Sequence, residues 1–168
     1  PIRNMATMAG NLVNASPIGD MTIFFLALDS DIVLSKGSIA RTIKLKDFYK
    51  GYKQIDKEAD EIIEMIIFTP PQNNHFNFEK VCKRTHLDIA SVNTACQIQL
   101  NNDGVIESVH LSAGGVAAFP KYLNNTCLFL TGKKITADVL KEAVDKINNE
   151  VAPISDARGT ADYKRLLL

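Results

Sequence analysis

The sequence predicts an α+β fold in two parts: a small mixed part over residues 1–70, then an antiparallel three-stranded sheet packed with helices over residues 74–168. Three observations carry this. Pro70-Pro71-Gln72-Asn73-Asn74 sets prolines and amides between two strand-like stretches, and proline cannot donate to a strand ladder. Residues alternate with period two on both sides of Asn101-Asn102-Asp103-Gly104, a hairpin signal. Residues 137–149 repeat their apolar positions with the period of a helix.

The elements follow in order. Ile2 to Asp20 is rich in small and turn residues, among them Gly10, Gly19, Pro17 and Ser16, and reads as a loop with one short helix. Met21 to Leu28 is a nearly unbroken apolar run with Ala and Leu among its residues, a short helix. It is far below the roughly 20 residues that span a bilayer. Asp31 to Ser35 and Ser38 to Leu45 are two strands joined across Lys36-Gly37, and Ile-rich Glu61 to Thr69 is a third, mostly buried. Phe76 to Lys83 alternates as a strand. Val92 to Leu100 and Val105 to Ala113 form the hairpin. One face carries Cys96, Ile98, Leu100, Val109, Leu111 and Ala113; the other carries Gln97, Gln99, Ser108, His110 and Ser112, so one covered face is expected. Thr136 suits a cap for the helix over 137–149, with Asp138 in its first turn and Val139, Leu140, Ala143, Val144, Ile147 and Val151 as its stripe. Asp162 to Leu168 begins another helix.

Composition excludes several function classes. Nineteen Lys and Arg balance nineteen Asp and Glu, which argues against a nucleic-acid arm or an acidic tail. The 46% hydrophobic content supports a real core, while 7% aromatic residues and no Trp argue against aromatic recognition surfaces. Cys82, Cys96 and Cys127 fit neither a zinc site nor a paired disulfide framework, so reduced thiols and a cytoplasmic location are expected. No metal ligand set is read among the histidines. The basic stretch from Lys36 to Lys53 runs straight into acidic residues 56–64 and reads as a solvated strand edge. No acid–base or nucleophilic catalytic set stands out.

One stretch points to a ligand. Thr7-Met8-Ala9-Gly10-Asn11, followed by Ser16-Pro17-Ile18-Gly19-Asp20, joins a glycine-containing turn to neutral donors and a carboxylate. A bare backbone admits diphosphate oxygens to N–H groups, and a carboxylate accepts from sugar hydroxyls. By itself such a turn is equally a plain structural loop.

These motifs, with the preceding Pro1-Ile2-Arg3-Asn4, resemble the second FAD-binding signature of the molybdenum hydroxylases, the family of xanthine dehydrogenase, aldehyde oxidase and CO dehydrogenase. The resemblance continues in order through Asp47-Phe48, Gly51-Tyr52-Lys53, Glu61-Ile62-Ile63, Lys80 with Lys83-Arg84 and Asp88-Ile89-Ala90, Gly114-Gly115-Val116-Ala117, and Asp156-Ala157-Arg158-Gly159-Thr160-Ala161-Asp162-Tyr163. Its Ser16–Asp20 and Lys83–Ala90 forms are similar to those of xanthine dehydrogenases.

The resemblance implies a second FAD-binding subdomain over 1–70 and a domain like the CO dehydrogenase flavoprotein C-terminal domain over 74–168. It implies that Thr7, Met8, Ala9, Gly10 and Asn11 wrap the FAD diphosphate, with Ser16 shaping the loop. Asp20 binds a sugar-chain hydroxyl, Ile63 packs on the flavin ring and Lys80 reaches its polar edge. An oxidoreductase is implied, with the molybdenum cofactor and 2Fe–2S clusters in partner domains or subunits, an upstream FAD subdomain, and NAD or another acceptor. Membrane and nucleic acid are not expected partners. Two departures matter: Ala9 stands where the family has a glycine, which would strain a left-handed backbone, and the family's first FAD loop lies upstream of Ile2. The opening at Pro1, inside a motif, is expected of a piece of a longer chain. The alternative is a non-catalytic subunit-docking module that no longer retains FAD.

Overall fold

The computed structural model describes residues 5–71, 75–86 and 88–168. The Pro1–Asn4 part of the first motif and Gln72-Asn73-Asn74 of the proposed boundary lie outside them. Helix α1 (Met8–Val13) leads to α2 (Asp20–Ala27), then to strands β1 (Asp31–Lys36) and β2 (Ile39–Lys44). Short strands β3 (Tyr49–Gly51) and β4 (Gln54–Ile55) make a small hairpin, and β5 (Ile62–Ile67) returns to β1. The second half holds β6 (His75–Val81), β7 (Val92–Leu100), β8 (Ile106–Gly114), β9 (Lys121–Tyr122), α3 (Asn124–Leu130), α4 (Ala137–Glu150) and α5 (Ala161–Leu166). All ladders are antiparallel, in the orders β2-β1-β5, β3-β4 and β6-β7-β8-β9. The three strands read from sequence in the second half are present in that order, and two-residue β9 adds an edge.

Helix α2 has no polar side beyond its first turn, so it must be covered all round. Ile23, Phe25, Leu26 and Ala27 are buried, sharing a core with Ile32 and Leu34 of β1, Ile63 and Ile66 of β5, Phe76 and Phe78 of β6, and Ala95 of β7. The helix therefore lies between the two larger sheets. This corrects the expectation that the polar face of the β7–β8 hairpin is open. Asn93, Gln97 and Ser112 on that face are buried, and the Ser112 hydroxyl donates to the Ile23 carbonyl at 2.7 Å. Ser112 and Asn93 suit this face because they bond to the helix backbone and to the helix's own carboxylate. The opposite, apolar face packs Ile98, Val109 and Leu111 on α3 and α4, as expected.

Two further expectations are corrected. Strand β5 is not mostly buried: Ile62 is 64% exposed and Met65 51%, because only Ile63 and Ile66 face the core. On α4, Ala143 is buried and Val139 and Ile147 half-buried, but Leu140 and Val144 face outward. The helix has a core neighbour along one edge of its stripe only. Its cap is as read, the Val139 N–H bonding Thr136 Oγ1 at 3.3 Å.

Helix α3 carries no local cap. The Glu150 carboxylate at the end of α4 supplies one, accepting from the N–H groups of Asn125 and Thr126 at 2.9 and 2.8 Å and from the Thr126 hydroxyl at 2.6 Å.

Candidate functional site

Three separated segments meet at the first turn of α2. Gly19 precedes the helix and has no side chain to cap it. Asn11 of α1 supplies the acceptor instead, its Oδ1 taking the Thr22 N–H at 3.2 Å and the Thr22 hydroxyl at 3.3 Å. Asp20 is the first residue of α2, where a negative charge is favoured by the helix dipole. Its Oδ2 lies 2.7 Å from the Lys80 ammonium of β6, and its Oδ1 accepts from Asn93 Nδ2 of β7 at 2.7 Å. The same Asn93 amide donates to the Ile18 carbonyl at 3.4 Å. Asp20 and Lys80 remain partly exposed, whereas Asn93 is buried.

The loop before α2 is seated on the second sheet. Ser16 Oγ accepts from the Ile18 N–H at 3.4 Å, and the Gly115 N–H donates to the Pro17 carbonyl at 2.9 Å. Gly115 has φ +82°, and an added Cβ would stand 2.4 Å from the Ser91 carbonyl oxygen. Only glycine gives both the left-handed backbone and this approach.

The residues 7–11 are a helix start rather than an open loop. Thr7 is the N-cap of α1, its Oγ1 accepting from the Gly10 N–H at 2.9 Å, and the Asn11 N–H bonds the Thr7 carbonyl at 3.1 Å. The N–H groups of Met8 and Ala9 are left as open donors of that turn among the described residues. Ala9 is helical, so no left-handed strain arises there. The Asn11 carbonyl oxygen is committed to α2, leaving its NH2 group to donate. Ile63 is placed apart from these groups, half-buried in the α2 core and opposite Leu34 of β1. The structure thus gathers Asp20 and Lys80 directly, links Thr7–Asn11 to them through Asn11 and Thr22, and leaves Ile63 on its own strand. Sequence reading missed Asn93. Its only signal was a place on the polar face of an alternating strand.

Beside the Ser16–Ile18 loop opens a cleft of about 570 Å3. Pro17, Ile18, Ile89 and Ile154 form apolar walls, Tyr52 stands at its side, and Arg158 adds a charge. Lys164, though buried, holds the floor through the Ile154 carbonyl at 2.9 Å and the Asp156 carboxylate at 2.8 Å. Hydrogen bonding to Lys164 keeps Asp156 below the usual carboxylate range.

Elsewhere the charges pair off internally. Arg41 bonds Glu61 at 2.7 Å and Asp56 at 3.1 Å. The Arg41 hydrogen bond pulls Glu61 down to about 2. Lys44 and Lys46 both reach Asp29 at 3.0 Å. The basic stretch is therefore a strand edge, as read from sequence, but one whose cations are paired with acidic neighbours rather than simply solvated. Among the described residues no group of His, Cys, Asp or Glu is arranged to hold a metal ion, and no helix is long and apolar enough to cross a membrane.

Comparison with known proteins places these features in a family. The FAD binding domain in molybdopterin dehydrogenase matches residues 1–71, and the CO dehydrogenase flavoprotein C-terminal domain matches residues 78–168. The glyceraldehyde dehydrogenase medium chain of Sulfolobus acidocaldarius is 32% identical over 98% of this chain and 58% of its own length. Xanthine dehydrogenase of Oryza sativa is 34% identical over 94% of this chain, which spans 12% of it. The reconstituted CO dehydrogenase from Oligotropha carboxidovorans superposes with a TM-score of 0.89 at 28% identity, covering 99% of this chain and 58% of that one. The chain thus spans well under two thirds of the relatives it matches.

Proposed function

This chain belongs to the FAD-binding molybdenum hydroxylase family, and we propose from that premise that it is the flavin-binding, electron-transfer part of a xanthine dehydrogenase-like oxidoreductase. Residues 1–70 act as the second FAD-binding subdomain and 74–168 as the C-terminal domain. In this reading a molybdenum cofactor and 2Fe–2S clusters reside in partner domains or subunits, and an upstream FAD subdomain completes the cradle. FAD, when bound, would supply the change from one-electron transfer at those clusters to two-electron transfer at NAD or another acceptor. Three free thiols suit a cytoplasmic location.

The observation that carries the reading is the Asp20–Lys80 ion pair at 2.7 Å, on a helix joined to α1 through Thr22 and Asn11. The donor set fits the parts of FAD. Open N–H groups at Met8 and Ala9 and the Thr7 and Ser16 hydroxyls suit a diphosphate. Asp20 retains lone pairs for a sugar-chain hydroxyl, since each of its oxygens accepts one bond from the protein. Exposed Met8 and Val13 offer apolar surface for a ring.

From this arrangement the work of each residue follows. The α1 turn holds phosphate oxygens through N–H groups that cost nothing to reorganise. Asp20 orients the sugar chain. Lys80 places a positive charge at the ring's polar edge, where it stabilises negative charge that arrives with electrons. The cleft with Tyr52, Ile89 and Arg158 shares the Ser16–Ile18 wall with this site and is large enough for an acceptor such as a nicotinamide dinucleotide.

The test is the visible spectrum and FAD content of the assembled protein with all co-purifying chains, compared with Asp20→Ala. Flavin bands that weaken in the variant support the reading. Companion chains without flavin, in wild type and variant alike, favour the docking module instead.

A further inference from the structure

We propose that Asn93 is a positioning residue for the flavin site, fixing the Asp20 carboxylate between itself and Lys80, and that Gly114 is glycine to admit its amide. The proposal rests on the reading of Asp20 and Lys80 as flavin-site residues.

Register makes the case. Lys80 pairs with Asn93 across β6 and β7, and Asn93 pairs with Gly114 across β7 and β8. The three residues form one rung, and side chains of a rung share a face. Here it is the face under the start of α2. Lys80 and Asn93 divide the two carboxylate oxygens of Asp20, each at 2.7 Å. The third member contributes by having no side chain.

The orientation of the Asn93 amide is set by its neighbours. Asp20 Oδ1 and the Ile18 carbonyl are both acceptors, so the NH2 group must face them. Asn93 Oδ1 is then turned to Gly114, buried and without a hydrogen-bond partner among the described residues. A Cβ at position 114 would stand 2.1 Å from that oxygen. Only the Cα–H of glycine fits there, as a weak donor. A residue serving packing alone would be apolar on this rung, since an orphaned acceptor is unfavourable. What Asn93 contributes is direction. Without it the exposed carboxylate turns wholly to Lys80, drawing the ammonium toward α2 and away from any ligand.

The charged groups facing position 93 are Asp20 on α2 and Lys80 on β6. Strand β8 presents Gly114, and the loop before α2 presents the Ile18 carbonyl. Asn93→Asp keeps the shape and reverses the chemistry. Ionised, it repels Asp20; protonated, its O–H replaces the lost N–H donor. Two carboxyl groups in contact share a proton well above the ordinary carboxylate range.

The experiment uses the assembled holoprotein, with FAD retention measured by flavin fluorescence during dilution, and redox titration of the bound flavin. Asn93→Asp is expected to hold FAD about tenfold more weakly at about pH 8 than at about pH 5.5, a dependence absent from wild type. Asn93→Leu is expected to weaken FAD about tenfold at both pH values and to shift the midpoint potential. Gly114→Ala is expected to weaken FAD in the wild-type background too, since its Cβ would stand 2.1 Å from Asn93 Oδ1 and 2.9 Å from the Pro17 carbonyl oxygen. Circular dichroism confirms folding in each case. Should Asn93→Asp not fold, Asn93→Leu decides alone. Retention and potential like wild type in the Asn93 variants, while Asp20→Ala releases FAD, overturn the proposal and leave the flavin reading intact. Retention unchanged in Asp20→Ala as well overturns both.

Discussion

Gly115→Ala is the sharpest test of how the Ser16–Asp20 loop is seated. The left-handed backbone at φ +82° costs an alanine about 1–2 kcal/mol. The new Cβ would also stand 2.4 Å from the Ser91 carbonyl oxygen and 2.9 Å from Ile18 Cγ2. A side-chain methyl can swing aside, but the Ser91 backbone is held by its N–H bond to the Val81 carbonyl at 2.7 Å. Forcing the contact adds about 1–3 kcal/mol, for a total of about 2–5 kcal/mol. Gly37 is the internal control: its φ is +60° and an added Cβ meets nothing within 4 Å. Gly37→Ala then pays the backbone strain alone, about 1–2 kcal/mol. At roughly 2–4 °C per kcal/mol for a chain of this size, thermal unfolding by circular dichroism separates the two variants. FAD retention should fall in Gly115→Ala and not in Gly37→Ala, because only the first moves Ile18, next but one to Asp20. Equal losses in melting temperature would refute the close approach of Ser91 and with it the seating of the loop.

Glu150→Ala removes three hydrogen bonds to α3 and leaves the buried Thr126 hydroxyl without its acceptor, an expected loss of about 2 kcal/mol in urea unfolding; a loss under about 0.5 kcal/mol would show that α3 is capped otherwise. Burial holds His110 below its ordinary range, against the opposing pull of Asp29. The unfolded chain therefore takes up its proton first, so this contribution to stability is present above about pH 6.5 and declines as pH falls toward the folded value. His110→Gln should flatten urea midpoints over that window, and an unchanged slope would remove His110 as the cause. Lys80→Met should lower the flavin midpoint potential by removing positive charge from the ring edge. An unmoved potential would place Lys80 outside the site.

Local signals made much of the fold legible. The apolar run at 21–28 announced α2, the Lys36-Gly37 turn announced β1 and β2, and the cap at Thr136 announced α4. Helix α3 was illegible because its cap is Glu150, 24 residues from Thr126 in sequence. The β7–β8 hairpin was legible in its strands and not in its surroundings. Alternation tells which residues share a face, but not that α2 covers the polar one. Strand β5 misled for the converse reason, since an Ile-rich run looks the same whether one side or both are packed. At the site, the resemblance named Thr7–Asn11, Asp20, Ile63 and Lys80. The direct pairing of Asp20 with Lys80 needed the register of β6 against β7 and the seat of α2.

That seat explains why chemistry and architecture coincide at α2. Within four consecutive residues the helix is pinned by polar contacts from five other segments: Asn93 and Lys80 to Asp20, Asn11 and Tyr49 to Thr22, and Ser112 to the Ile23 carbonyl. Pins on different sides of one turn fix both the rotation of the helix and its position along its axis. The body of the helix, apolar all round, fills the core shared by both larger sheets and adds no direction of its own. Direction therefore comes from its first turn alone, where Asp20 faces the rung of Lys80, Asn93 and Gly114. A change to any pin reaches the carboxylate within one helical turn, whereas a volume-conserving swap on the helix body has no such lever.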